Sequence, residues 1–221
     1  MKKELKARDF SGFEEVMHSL THGIGAFLSI LGLILLIFRV SGSGVVQIIS
    51  TAIFGSSLVV LYSASCAYHT SCAYYGEHTV SRVRDFFMKC DHCMIFILIL
   101  GTYTPACISA MGGWIGWTVF GIVAALCTLG IILNAIDVER FSKISLVLYI
   151  LTGWTIAVAS VPYFNAVGSL GFLFLILGGV LYTVGVAFYK LKHVRYMHIV
   201  WHLFVLCGSV MHYIMVYFFC Y

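Results

Sequence analysis

Seven stretches of this chain are long and apolar enough to cross a hydrocarbon layer, and nothing else in the sequence limits its fold so tightly. A bilayer core about 30 Å thick takes roughly 20 apolar residues as a helix, which closes its backbone hydrogen bonds within the segment. The stretches fall at about 17–38, 45–69, 87–110, 114–135, 144–162, 168–189 and 197–219, separated by RVSGSG, the polar run 70–86, MGG, IDVERFSK, PYFNAVG and KLKHVRY. A soluble domain carries about 25% charged residues. Here 10% are charged and 61% are hydrophobic, too few polar residues to cover a water-facing surface. The expected fold is an all-α membrane protein: a seven-transmembrane helix bundle over residues 17–221, preceded by a cytosolic N-terminal segment, residues 1–16.

Basic residues orient the bundle, because cytosolic loops retain Lys and Arg. Twelve of the thirteen fall on one side: Lys2, Lys3, Lys6 and Arg8; Arg82, Arg84 and Lys89; Arg140 and Lys143; Lys190, Lys192 and Arg195. Arg39 alone falls on the other. The N-terminus is therefore expected in the cytosol and the C-terminus outside, in a multi-pass protein of the cell membrane. Topology also accounts for the net charge of +4, so the expected partners are membrane lipids and not nucleic acid. Small-residue faces such as Gly171, Gly178 and Gly179 leave packing within the bundle or self-association open. No small-residue cleavage site follows the first apolar stretch, so no cleaved signal peptide is expected. Eight scattered cysteines do not form the framework of a disulfide scaffold.

Against this apolar background the polar residues stand out, since a polar group in hydrocarbon needs a partner or a purpose. His22, Ser65, His69, Asp91, His92, His198 and His202 all fall within about 10 Å of the cytosolic helix ends, at 1.5 Å rise per residue. They come from four helices at matching depth. Ser65 with His69, and His198 with His202, are four apart and share a helix face. A histidine pair at that spacing can hold one ion from a single helix. With His69 as third ligand, His198 and His202 make a three-histidine set with a fourth position left for water, the layout of a catalytic zinc site. Asp91 would hold or deprotonate that water, and Ser65 would hydrogen-bond the ligands or a substrate oxygen.

Other residues take plainer readings. His18, His78 and His193 read as interfacial or hydrogen-bonded side chains. His212 lies about 15 Å beyond His202 on the same helix and reads as a helix-packing hydrogen bond. His92 points about 100° away from Asp91, so the two are not expected to serve one metal. Cys90 and Cys93 form a CxxC pair with no second pair, a weak rival metal or redox site. Pro105 falls inside the third span, where it is expected to kink the helix while Thr102 or Thr104 satisfies a freed carbonyl.

From about Phe13 to its end, the chain resembles the bacterial hemolysin III proteins, within the wider progestin and adipoQ receptor family. The resemblance is carried by EEVMHSLTHGIG at 14–25, SCAYH at 65–69, DHCMIFILILGTYTP at 91–105, TGW at 152–154, GGVLYTVGVAFY at 178–189 and HIVWHLFVLCGSVMH at 198–212. It implies seven transmembrane helices with a cytosolic N-terminus and a zinc ion near the cytosolic face. It places the zinc ligands at His69, His198 and His202, the aspartate at Asp91 and the serine at Ser65. Two positions depart from the pattern: His18 stands where an asparagine is expected, and Arg195 where bacterial relatives often carry proline. Receptor members resemble lipid-amide hydrolases of the ceramidase kind, whereas bacterial members are named for lysis and some are linked to membrane-lipid homeostasis. The first expectation is thus a zinc-dependent hydrolase of a membrane lipid amide, with Asp91 and Ser65 as its catalytic residues. The alternatives are a pore-forming cytolysin, for which no charge ring lines a pore, and a lipid sensor with structural zinc. Three histidines plus water would favour catalysis, and a fourth protein ligand would favour structure.

Overall fold

A computed structural model describes residues 10–75, 82–191 and 193–221. His78 and, among the basic residues, Lys2, Lys3, Lys6, Arg8 and Lys192 lie outside the described residues. Among the described residues there is no strand.

Helix α1, Gly12–Val40, starts ahead of the expected residue 17 because Ser11 and Glu14 cap it reciprocally. The Glu14 backbone donates to Ser11 Oγ at 3.3 Å, and the Ser11 backbone donates to Glu14 Oε2 at 3.0 Å, satisfying donors that a helix start leaves free. Helix α2 runs Val45–Tyr75 and α3 runs Arg82–Tyr103. Pro105 has no amide to donate, and the chain widens here into a π-helical segment, Thr104–Met111. Thr102 and Thr104 donate to the carbonyls of Leu98 and Leu100 at 2.9 and 3.0 Å, so the expected irregularity takes the form of a π-helical turn. Gly112 and Gly113, at φ 61° and 58°, turn the chain into α4, Gly113–Ile136.

After Asp137 caps it, α5 (Val138–Trp154) passes through a 3₁₀ turn, Thr155–Ala159, into α6, Ser160–Lys190. Six helical stretches are long and apolar enough to cross a membrane, and Val138–Lys190 counts among them as a single run of 53 residues. Drawn straight it would reach about 80 Å, far beyond a hydrocarbon core of about 30 Å. It does not stay straight. Gly168 takes φ 70° and ψ −179° inside the run, a conformation open to glycine and costly for other residues. Trp154 Nε1 donates to Thr183 Oγ1 at 3.0 Å, a contact between residues that a straight helix would hold about 44 Å apart. The run therefore doubles back on itself.

Helix α7, Met197–Phe219, starts from Tyr196 in the left-handed region, φ 65°. Glu14 Oε1 accepts the Tyr196 backbone N–H at 3.0 Å, so one carboxylate caps α1 and clamps the start of α7 beside it. Helix α1 packs on α2 and α7, α2 on α3, and α6 on α7, whereas α5 and α6 barely touch. Phe54, Phe96, Val123, Tyr163 and Met215 form the buried centre. The outside is apolar as well: Phe27, Phe38, Trp114, Val158 and Leu173 are all exposed, a surface suited to lipid and not to water.

Polar pairs tie the helices together. Tyr62 donates to Ser209 at 2.6 Å and Tyr182 shares that hydroxyl at 2.8 Å, joining α2, α6 and α7. Asn134 donates to the His92 carbonyl at 3.2 Å and to Tyr149 at 3.0 Å, and Tyr149 donates to the same carbonyl at 2.9 Å. Ser145 donates to Asn134 Oδ1 at 2.6 Å. This node fixes the α3 backbone at His92, and with it the neighbouring Asp91.

Candidate metal centre

Helix periodicity puts Glu15, His18 and His22 on one face of α1, since positions three and four apart meet. That face turns toward His69 on α2 and toward His198 and His202 on α7. The ring centroids of His69 lie 5.4 Å from His198 and 5.0 Å from His202, and those of His198 and His202 are 4.8 Å apart. The rings of His69, His198 and His202 thus lie close together.

His18 joins them, which corrects its reading as an interfacial residue. Its ring lies 4.7 Å from His69, 4.7 Å from His198 and 5.2 Å from His202. It is completely buried. One nitrogen each of His18, His69 and His198 can be chosen so that all lie within 4.8 Å of one another, so three histidines can hold a metal ion. His202 is turned differently: its Nδ1 is 3.1 Å from Thr21 Oγ1, and its ring stacks on His22 at 3.7 Å.

Hydrogen bonding tests whether the site suits a cation. The Thr21 hydroxyl donates to the His18 carbonyl at 2.8 Å, so it accepts from His202 and leaves Nε2 as that ring's lone-pair nitrogen. His69 Nδ1 is 2.7 Å from Glu15 Oε2, which fixes the same tautomer. His69 Nε2, His198 Nδ1 and both ring nitrogens of His18 are buried without a hydrogen-bond partner. Each such group costs about 1–3 kcal/mol when left unpaired. A cation between the rings would partner several at once, and carboxylate or hydroxyl groups behind metal-bound histidines are the usual arrangement. The donor set fits a metal ion.

A cavity of about 430 Å³ opens beside the cluster and is lined by Ser65, His69, Asp91, His198 and His202, the five residues selected from sequence. His22, His92, Tyr68 and Glu139 also reach it. Asp91 Oδ2 stands 3.8 Å from His92 Nδ1, and that nitrogen is 3.0 Å from the Met88 carbonyl. A second cavity of about 110 Å³ shares the walls Leu61, Ile95, Tyr149, Trp201 and Val205 and continues between Gly153 and Trp154 of α5 and Gly179 and Thr183 of α6. Cys90 and Cys93 line neither, and the Cys93 thiol donates to the Ile131 carbonyl at 3.6 Å.

The haemolysin-III related family model matches residues 10–213. The chain belongs to that family. It is 39% identical over 199 residues to hemolysin-3 of Bacillus cereus, covering 90% of this chain and 88% of the relative. It is 37% identical over 208 residues to a hemolysin-3 homolog of Bacillus subtilis (strain 168), covering 94% of each. A more distant likeness, 25% over 170 residues, is to the monocyte to macrophage differentiation factor of Homo sapiens, covering 75% of this chain and 68% of the relative. Family membership and the apolar helices make this a multi-pass protein of the cell membrane.

Sequence reading missed Glu15, Thr21 and Phe10. Glu15 falls within the expected cytosolic segment, residues 1–16, though its spacing from His18 and His22 signals a shared face. Thr21 and Phe10 carry no signal of their own: one is an ordinary helical hydroxyl, and the other, packed 4.9 Å from His18 and 5.1 Å from His198, precedes the helix.

Proposed function

We propose that this haemolysin-III related protein is a metal-dependent hydrolase of a membrane lipid, acting on a ceramide-like amide, with zinc held by His69, His198 and His202. The reading includes seven crossings, the Val138–Lys190 run making two, and a cytosolic N-terminus. One observation carries it. Asp91 and Ser65 face the same cavity as the histidines, and that cavity shares walls with an apolar chamber bounded by two helices that barely meet.

A zinc ion held there would supply a Lewis acid and would acidify a water reaching it from the cavity to a pKa of about 7. The rest falls to the protein. Asp91 accepts the proton of the attacking water and passes it to the leaving nitrogen, a role worth about 10²–10⁴ in rate. Ser65 donates a hydrogen bond to the oxygen on which charge develops. Glu15 and Thr21 hold the rings of His69 and His202 in one tautomer. The apolar chamber takes a lipid chain, and the weak α5–α6 seam is its route from the bilayer.

A second reading, a lipid sensor with structural metal, is favoured by His18, a further protein donor whose nitrogen comes within 4.8 Å of those of His69 and His198. The lytic activity in the relatives' name has no counterpart in a charge-lined pore among the described residues. Lipid profiles of cells expressing wild type or Asp91→Ala decide between enzyme and sensor. The variant retains its metal and loses the lipid change made by wild type. Identical profiles would remove the enzyme reading.

A further inference from the structure

The four histidines at the centre differ in what holds them. His69 is anchored through Nδ1 by Glu15 at 2.7 Å, and His202 through Nδ1 by Thr21 at 3.1 Å. His18 has no such anchor. Its Nδ1 lies 3.6 Å from Glu15 Oε2, too far for a hydrogen bond, and neither of its nitrogens has a partner although the ring is wholly buried. A neutral imidazole in that position satisfies nothing around it.

Its placement, however, completes a figure. Imidazoles bound at about 2.0–2.1 Å around a tetrahedral ion hold their ring centroids about 5.2 Å apart. The six separations among His18, His69, His198 and His202 run from 4.7 to 5.4 Å, all within about 0.5 Å of that value. Four ring centroids from three helices therefore mark the corners of a near-regular tetrahedron; the nitrogens of His18, His69 and His198 already come within 4.8 Å of one another, and His202 completes the set by turning from its stack on His22. Three of those corners face the large cavity and His18 does not. Phe10 packs edge-on against His18 instead, 4.9 Å between centroids.

We propose that His18 is the fourth nitrogen ligand of the metal centre, capping the ion from α1 on the side away from the cavity, so that the resting site is closed. The proposal rests on the reading of His69, His198 and His202 as ligands. It adds that a further donor enters only by expansion of the coordination sphere, and that the cavity side is the face free to receive it. Tetrahedral centres with four protein ligands are closed to water, whereas those with three keep an exchangeable position. Removing His18 should therefore open one.

The test uses full-length wild type and His18→Asn in detergent, with His18→Gln as a second variant should the first not stay monodisperse. X-ray absorption of the zinc-loaded proteins counts imidazoles, expected to be four in wild type and three plus an oxygen in the variant. Cobalt(II) loading gives a second readout: weaker binding in the variant by more than about ten-fold, and a visible spectrum that azide shifts in the variant but not in wild type. Equal imidazole counts with equal azide responses would overturn the role of His18 and leave the three-ligand centre standing. A wild type that takes up neither zinc nor cobalt would overturn the metal centre itself, and this proposal with it.

Discussion

Helix α7 carries histidines near its start and again farther along, and they sit in different surroundings. Near its start, His198 and His202 meet rings from α1 and α2 at 4.7–5.4 Å, and among those rings His198 Nδ1, His69 Nε2 and both nitrogens of His18 have no hydrogen-bond partner. Farther along, His212 meets no other histidine. Its Nε2 bonds the Leu175 carbonyl at 3.2 Å, and its ring lies 5.4 Å from Tyr182. His202 and His212 are both buried, so burial does not distinguish the two sites. Convergence does: His212 keeps one nitrogen unpartnered too but stands apart from other histidines with a carbonyl partner, as a helix-packing residue does, whereas several imidazoles gathered together form a donor set that suits a cation.

That contrast breaks most visibly on removing one ring from each end. His69→Ala should abolish stoichiometric zinc binding, because it takes away a ligand and leaves Glu15 buried without its 2.7 Å partner. His212→Ala should keep full zinc occupancy and lose about 2–4 kcal/mol of stability through the cavity and the unpaired Leu175 carbonyl. Metal analysis of the purified proteins checks both. Zinc retained in His69→Ala, or lost in His212→Ala, would erase the distinction.

Much of this was legible in the sequence, and for definite reasons. Apolar runs of 20 residues have one stable answer in lipid, so the helices and nearly all their breaks could be read directly. The i, i+4 pairs Ser65–His69 and His198–His202 state their own geometry, and Asp91 follows from depth. Two things were not legible. His18 and His22 are also four apart, but without knowing that α1 lies against α7 there was no reason to aim that face at the cluster. Glu15 looked like tail charge, because charge close to a helix start is ordinarily solvated. Its burial at 4% exposure comes from tertiary packing against α2. Length alone merges 138–190 into one run, and the doubling back rests on the backbone freedom of a single glycine, Gly168.

The next effect is smaller and concerns the support behind a ligand. Glu15→Gln keeps the size of the side chain and a hydrogen-bond acceptor for His69 Nδ1–H, but removes the negative charge that makes the imidazole a better donor to metal. Zinc affinity should fall about 10–100-fold, less than in His69→Ala, while the protein remains folded. Competition with a chromophoric chelator measures it. An affinity equal to wild type would mean that the carboxylate serves α1–α2 packing and not the metal.

The smallest effect sharpens the packing end of α7. A Cβ added at Gly178 would sit 2.2 Å from His212 Cδ2 and 2.3 Å from Nε2, against a ring held in place by its bond to Leu175. Gly178→Ala must push that ring aside, at a cost of about 1–3 kcal/mol. In a chain of this size, each kcal/mol lowers Tm by about 2–4 °C. Gly121→Ala on α4 is the matched control, since nothing lies within 4 Å of its added Cβ. There alanine removes the conformational freedom that glycine brings to a helix interior and should be neutral or stabilising by up to about 1 kcal/mol. Zinc content should be unchanged in both, because neither site touches the centre. Thermal unfolding followed in detergent separates the two variants. If Gly178→Ala melted with Gly121→Ala, His212 would be free to move, and the rigid packing ascribed to that half of the helix would be wrong.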